Sequence, residues 1–187
     1  MSTPDVFRRI TANLDQADIA YMLTGSFASA HYGSPRSTQD IDIVIAATAA
    51  QLRTFFQILD SDEYYAELDA ALEAQQRESL FNVIDLASGW KIDLIFRKSR
   101  PFSQEEFSRR QCVSFQGLQL FIASAEDVII SKLEWALLSG SRRQIEDAAA
   151  VLRVKREDLD AKYTEKWISA LGLEEQWRAA KSAAGLS

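Results

Sequence analysis

The chain holds one cysteine, one histidine, three prolines and seven glycines in 187 residues. The lone Cys112 excludes an internal disulfide and fits a reducing compartment. Placed in the run Gln111-Cys112-Val113-Ser114-Phe115, it reads as a small strand residue. The lone His31 excludes a histidine-built metal centre, and one helical turn after Phe27 it reads as a packing residue. No repeat and no low-complexity linker interrupts the sequence. No apolar run approaches the roughly 20 residues of a membrane-spanning helix, and Met1-Ser2-Thr3-Pro4-Asp5 lacks the basic-then-apolar pattern of a secretory signal. The expectation is a cytoplasmic protein with no membrane attachment. Cations are short as well: 21 Lys and Arg stand against 27 Asp and Glu, a net charge of −6. The deficit is uneven, because residues 1–96 carry 6 basic and 14 acidic side chains, and residues 97–187 carry 15 and 13. Neither half is basic enough to advertise the long footprint of a duplex-binding protein, so charge gives a nucleic-acid acceptor no support.

What is present is a set of acids in costly places. Thr38-Gln39-Asp40-Ile41-Asp42-Ile43-Val44-Ile45 and Trp90-Lys91-Ile92-Asp93-Leu94-Ile95-Phe96 are rich in β-branched and aromatic residues and read as strands. Side chains alternate along a strand, so Asp40 and Asp42 share one face, roughly 6–7 Å apart. Two carboxylates on an otherwise apolar strand are expensive unless something positive faces them. A divalent cation is the natural candidate, and Mg²⁺ favours a few carboxylates together with substrate phosphates. Asp93 shares its face with Lys91 and Ile95, opposite Ile92, Leu94 and Phe96. Upstream, the short strand Tyr21-Met22-Leu23-Thr24 runs into Gly25-Ser26 and a short helix. Glycine lets a ligand approach the backbone, and a helix start offers amide groups to a phosphate. Serine is also a favoured helix N-cap, so Ser26 has a purely structural reading too.

The remaining organisation follows from periodicity and punctuation. Helices are expected over 4–17, 26–32, 48–59, 62–77 and 103–109. Hairpins are expected at 81–86 with 90–96, and at 111–115 with 118–122 around Gln116-Gly117. From Ser124 onward the pattern is helical, with breaks near Gly140, Arg153-Val154 and Gly172. Ser141-Arg142-Arg143-Gln144 has the form of a capping box. The tryptophans, among them Trp135 and Trp167, read as packing or interface residues. Asp85, facing the same way as Phe81 and Val83, is a lesser candidate for a spare acid.

Gly25-Ser26, a spacer, Arg36-Ser37-Thr38-Gln39-Asp40-Ile41-Asp42-Ile43 and a third acid at Asp93 resemble the polymerase-β-type nucleotidyltransferase superfamily. More narrowly they resemble the AbiEii-type minimal nucleotidyltransferase-like proteins. The likeness is good over about residues 20–97 and weaker over 124–152. It implies an α+β fold, a nucleotidyltransferase-like mixed β-sheet flanked by helices, with a C-terminal helical region. The boundaries expected are an α/β core over residues 1–123 and a helical region over 124–187 packed on it. The implied activity is transfer of NMP from an NTP to a hydroxyl of a protein, RNA or small-molecule acceptor. Two Mg²⁺ ions would be held by Asp40, Asp42 and Asp93, and Gly25 and Ser26 would meet the β- and γ-phosphates.

Several cations have two readings each. Arg36 either neutralises phosphate or pairs with an acid such as Asp40. Lys132, in the apolar stretch Ile129-Ile130-Ser131-Lys132-Leu133, either snorkels or reaches the nucleotide's phosphates, as the resemblance implies. Arg142 and Arg143 oppose the helix dipole in a first turn, so either a bound anion or Glu146 and Asp147 would explain them. Two other functions stand beside nucleotidyl transfer. One is a catalytically weak binding or regulatory partner in a toxin–antitoxin or phage-defence module, with a cognate toxin or antitoxin. The other is a phosphoesterase using the same three acids, disfavoured because the sole histidine lies near no acid pair.

Overall fold

A computed structural model describes residues 3–33 and 40–186 of the chain. Arg36 and the first two residues of the expected 38–45 strand therefore lie outside the described residues. Among those described, seven strands form one mixed sheet: β1 (Ala20–Leu23), β2 (Asp40–Ala46), β3 (Tyr64–Tyr65), β4 (Leu80–Asp85), β5 (Lys91–Phe96), β6 (Gln111–Phe115) and β7 (Leu118–Ile122). Their order is β3-β4-β5-β2-β1-β7-β6. β2 runs antiparallel to β1 and parallel to β5, while β4–β5 and β6–β7 are the two hairpins that alternation predicts. Ile41, Ile43, Ile45, Ile92 and Leu94 are fully buried on one side of the sheet. The intervening Asp40, Asp42, Lys91 and Asp93 keep partial or full exposure on the other. The pleat thus separates a core face from an acid-bearing face.

Helices α1 (Thr3–Gln16), α3 (Ala49–Ile58) and α4 (Leu68–Gln76) supply the apolar partners of this sheet. In α1 the buried residues Val6, Phe7, Ile10 and Leu14 recur at helical spacing. α3 begins in a capping box, where Thr48 Oγ1 accepts the Gln51 N–H at 3.3 Å and Gln51 Oε1 accepts the Thr48 N–H at 2.9 Å. The helix expected over 62–77 is shorter. Tyr64 and Tyr65 pair with Asp85 and Ile84 as β3, and the helix begins only at Leu68. Aromatic pairs fit a pleated surface well, and here the tertiary ladder overrides the alanine-rich sequence that follows. α5 (Pro101–Ser108) completes the elements of this region, with proline in its first turn.

The contacts divide the chain into two units, Met1–Leu23 with Thr38–Ile122, and Thr24–Ser37 with Ala123–Ser187. The first is the sheet unit. The second is helical, with α2 (Gly25–His31), α6 (Ala125–Ser139), α7 (Arg142–Lys155), α8 (Ala161–Ala170) and α9 (Glu174–Ala183). Ser124 caps α6 by accepting the Asp127 N–H at 3.2 Å, and Gly140 ends that helix in the left-handed conformation. Asp127 is fully buried and accepts hydroxyl hydrogen bonds from Ser124 (2.6 Å) and Tyr163 (2.5 Å). Tyr32 donates to the Ala123 carbonyl at 2.9 Å, joining the end of α2 to the start of α6. Burial, and then the acids Glu126 and Asp127 beside it, raise the Tyr32 phenol far above its ordinary range. His31 is exposed rather than packed, its ring edge-on to Tyr32 at 5.0 Å between centroids. Among the described residues, no helix is long and apolar enough to cross a membrane.

Gly33 gives a direct test of the helical unit. Its φ is +106°, and a Cβ built there would meet Val154 Cγ2 at 2.6 Å. Gly33→Ala combines a disfavoured backbone conformation with this clash, so a loss of at least about 1–2 kcal/mol is expected. Urea unfolding checks it, and an unchanged midpoint would remove the close approach from consideration.

Candidate active site

The acid-bearing face is organised by register. In the parallel ladder of β2 and β5, Asp42 stands opposite Asp93 and Asp40 stands opposite Lys91. In the antiparallel ladder on the other side of β5, Asn82 stands opposite Asp93. Alternation along each strand brings these residues to the same side of the sheet. The result is a polar row across three adjacent strands, Asn82, Asp93 and Asp42, with Lys91 and Asp40 one step away.

Asp93 is held on both oxygens, its side chain 13% exposed. Asn82 Nδ2 donates to Asp93 Oδ1 at 2.5 Å, and Lys91 Nζ donates to Asp93 Oδ2 at 3.1 Å. Lys91 Nζ also lies 3.8 Å from Asp40 Oδ1. The hydrogen bond to Asp93 raises the Lys91 ammonium above the ordinary lysine range. Partial burial opposes this, and the charges of Asp93, Asp40 and Asp42 reinforce it.

Among the described residues, no three His, Cys, Asp or Glu side chains form a ready metal-binding group. The row still has the chemistry for a hard cation. Its three acids offer carboxylate oxygens, two of them lie side by side in register, and a cation already stands among them as the Lys91 ammonium. Asp40, Asp42 and Asp93 are therefore the residues that could hold Mg²⁺.

The other candidates lie in the helical unit. Gly25 is the first residue of α2 with φ +62°, a conformation that glycine adopts without a Cβ penalty. Thr24 is the N-cap, with no side-chain capping bond, so Ser26 is the second residue of the helix rather than its cap. Ser29 Oγ donates to the Gly25 carbonyl at 2.7 Å. Lys132 is buried, and its ammonium donates to Asp147 Oδ2 at 2.9 Å and Gln144 Oε1 at 3.2 Å. That contact explains a second departure from expectation. The capping box at Ser141 does not form, because Gln144 turns its side chain to Lys132. Arg142 and Arg143 are exposed in the first turn of α7. The sheet unit thus brings the three acids together, and the helical unit carries Gly25, Ser26, Lys132, Arg142 and Arg143.

Asp85 belongs to a different environment from the acid row. It lies on the core face with no exposure, forms an ion pair with Arg9 of α1, and accepts from the Ser88 N–H (2.9 Å) and hydroxyl (2.8 Å). It is not a spare acid for the row. Asn82 and Lys91 are the members that sequence reasoning gave no role. Counting back through the β4–β5 hairpin from its turn would have placed Asn82 beside Asp93.

No family model matches the sequence, and no curated protein matches it either. Solved structures do match by shape. The crystal structure of ANT(2")-Ia in complex with adenylyl-2"-tobramycin aligns with a TM-score of 0.58 at 15% identity, over 90% of this chain and 95% of that one. The antigenic nucleotidyltransferase-like protein from Paracoccidioides brasiliensis aligns with a TM-score of 0.59 at 18% identity, over 96% and 91%. The solution structure of the antibiotic-resistance factor ANT(2")-Ia gives 0.53 at 17% identity, over 97% of each chain. The chain has a minimal nucleotidyltransferase fold, and these matches do not single out the AbiEii type.

Proposed function

We propose that this nucleotidyltransferase fold carries a working active site: a Mg²⁺-dependent enzyme that moves NMP from an NTP to a hydroxyl. The observation that carries the proposal is the register of Asp42 beside Asp93, with Asp40 two residues before Asp42 on the same face. The shared fold supports it. ANT(2")-Ia is seen with adenylyl-2"-tobramycin, a nucleotidylated small molecule, which supports a small molecule as one acceptor class beside protein and RNA.

The reaction has the acceptor oxygen attack the α-phosphorus while the bond to the β-phosphate oxygen breaks and pyrophosphate leaves. Two Mg²⁺ ions, when bound, would supply charge stabilisation at the attacking and leaving oxygens. Asp40 and Asp42 would hold them from β2. Asp93, its carboxylate oriented by Asn82 through Oδ1, would help hold the ion nearer the acceptor and take the acceptor's hydroxyl proton. Gly25 and Ser26 would offer first-turn amides to the triphosphate, and the exposed Arg142 and Arg143 would add cations for it. Such a protein would work in the cytoplasm.

A second reading is a nucleotide-binding partner without turnover, in a toxin–antitoxin or phage-defence module. The Lys91 ammonium placed among the acids favours it.

Thermal shift with each NTP plus Mg²⁺ separates the readings. A ligand at about 100 times its Kd adds about 2.7 kcal/mol, which is roughly 5–10 °C for a chain of this size. At least one NTP should produce that shift in the wild type and a much smaller one in Asp42→Asn. Equal stabilisation of both proteins would sink the enzymatic reading, and a shift without nucleotidylated product on any acceptor would support the second.

A further inference from the structure

We propose that Lys91 is an internal competitor for the divalent cation. Its ammonium holds Asp93 Oδ2 and must swing away before that oxygen can turn to a metal, so Lys91 sets the affinity of the site. The inference rests on the metal-holding reading of Asp40, Asp42 and Asp93.

Three observations carry it. First, the two oxygens of Asp93 have different partners. Oδ1 accepts from the neutral Asn82, and Oδ2 accepts from the charged Lys91. A neutral donor on one oxygen orients the carboxylate without satisfying its charge, which leaves Oδ2 as the oxygen for a cation. Second, Lys91 reaches two of the three acids at once, 3.1 Å from Asp93 and 3.8 Å from Asp40. A single positive charge placed there relieves part of the mutual repulsion of the row. Third, Lys91 is free to leave. Its side chain is 43% exposed, whereas Lys132 is 6% exposed and held by Asp147 and Gln144. A lysine stem with water on one side can move its head group outward at little cost. The two lysines thus differ in kind: Lys132 is a fixed internal tie and Lys91 a displaceable one.

Mn²⁺ serves as the probe, with free Mn²⁺ measured by electron paramagnetic resonance during titration of the full chain. Lys91→Met keeps the length of the stem and removes the charge. It should bind Mn²⁺ about three- to tenfold more tightly than the wild type, the range expected from losing one exposed ion pair and one nearby like charge. Lys91→Arg keeps the charge and should bind like the wild type. Unchanged or weaker binding in Lys91→Met would overturn the proposal. So would equal tightening in Lys91→Arg, since charge would then not be the cause. Asp42→Asn separates this failure from that of the underlying reading. If wild-type binding is lost in Asp42→Asn but Lys91→Met changes nothing, only the competition falls. If neither the wild type nor Lys91→Met binds Mn²⁺, both fall.

Discussion

Asp42→Asn is expected to lower nucleotidyl transfer by more than about 100-fold while leaving the fold intact. Mutating groups that merely orient a metal ligand costs about 10–100-fold, and Asp42 would be a ligand itself. Asparagine has the same shape and still accepts a hydrogen bond, but it lacks the charge that attracts a divalent cation. The position is half-buried on the acid face, and Ile41 and Ile43 fill the core face on either side. Denaturation should therefore move by no more than about 0.5 kcal/mol, the range of a surface change. Asp69→Asn, at an exposed acid in the first turn of α4, is the matched control and should keep full activity. The measurement is steady-state transfer with saturating NTP and Mg²⁺. Activity within about threefold of wild type in Asp42→Asn would remove the acid row from the mechanism.

Asp85→Ala is expected to lower stability by about 3–5 kcal/mol. Asp85 has no exposure and is the acid opposite Arg9. Its removal takes a fully buried acid from the half-buried guanidinium, which also lies 3.7 Å from the half-exposed Glu63. It also takes the acceptor from the Ser88 N–H and hydroxyl that shape the β4–β5 turn. Removing one partner of a buried pair costs more than the pair was worth, because the survivor keeps its desolvation penalty. Against a total stability of about 5–15 kcal/mol, such a loss is large. Asp85→Asn retains an acceptor for Ser88 and should lose distinctly less. Chemical denaturation of the three proteins checks the order. A loss under about 1 kcal/mol in Asp85→Ala would mean that the Arg9 pair does little for the fold.

These two aspartates show how far the sequence could be read. Both lie in runs of alternating residues, so the face each occupies followed from counting. Asp42 alternates with isoleucines that seek the core, and Asp85 is in phase with Phe81 and Val83. The sequence supplied the phase of each but left Asp85 open as a spare acid, because it could not say what each faces. The hairpins at 80–96 and 111–122 were legible because turn and alternation are local. The stretch 62–77 was misread because pairing of Tyr64 with Asp85 is a long-range event that no local preference reports. Gln144 likewise carried a local capping signal and lost it to Lys132, twelve residues earlier.

By itself the sequence determined every described strand but β3 and the phase of the acids along those strands. The reason is that a two-residue period, like a capping residue, is a property of neighbouring positions. The tertiary structure alone decided that Asp42 lies beside Asp93, that Asn82 and Lys91 hold the two oxygens of Asp93, and that Arg9 answers Asp85 across 76 residues. Register between strands is fixed by the whole sheet, since a slip of one residue would turn every core side chain outward. The acid row is therefore written in the sequence strand by strand, and assembled only by the ladder between strands.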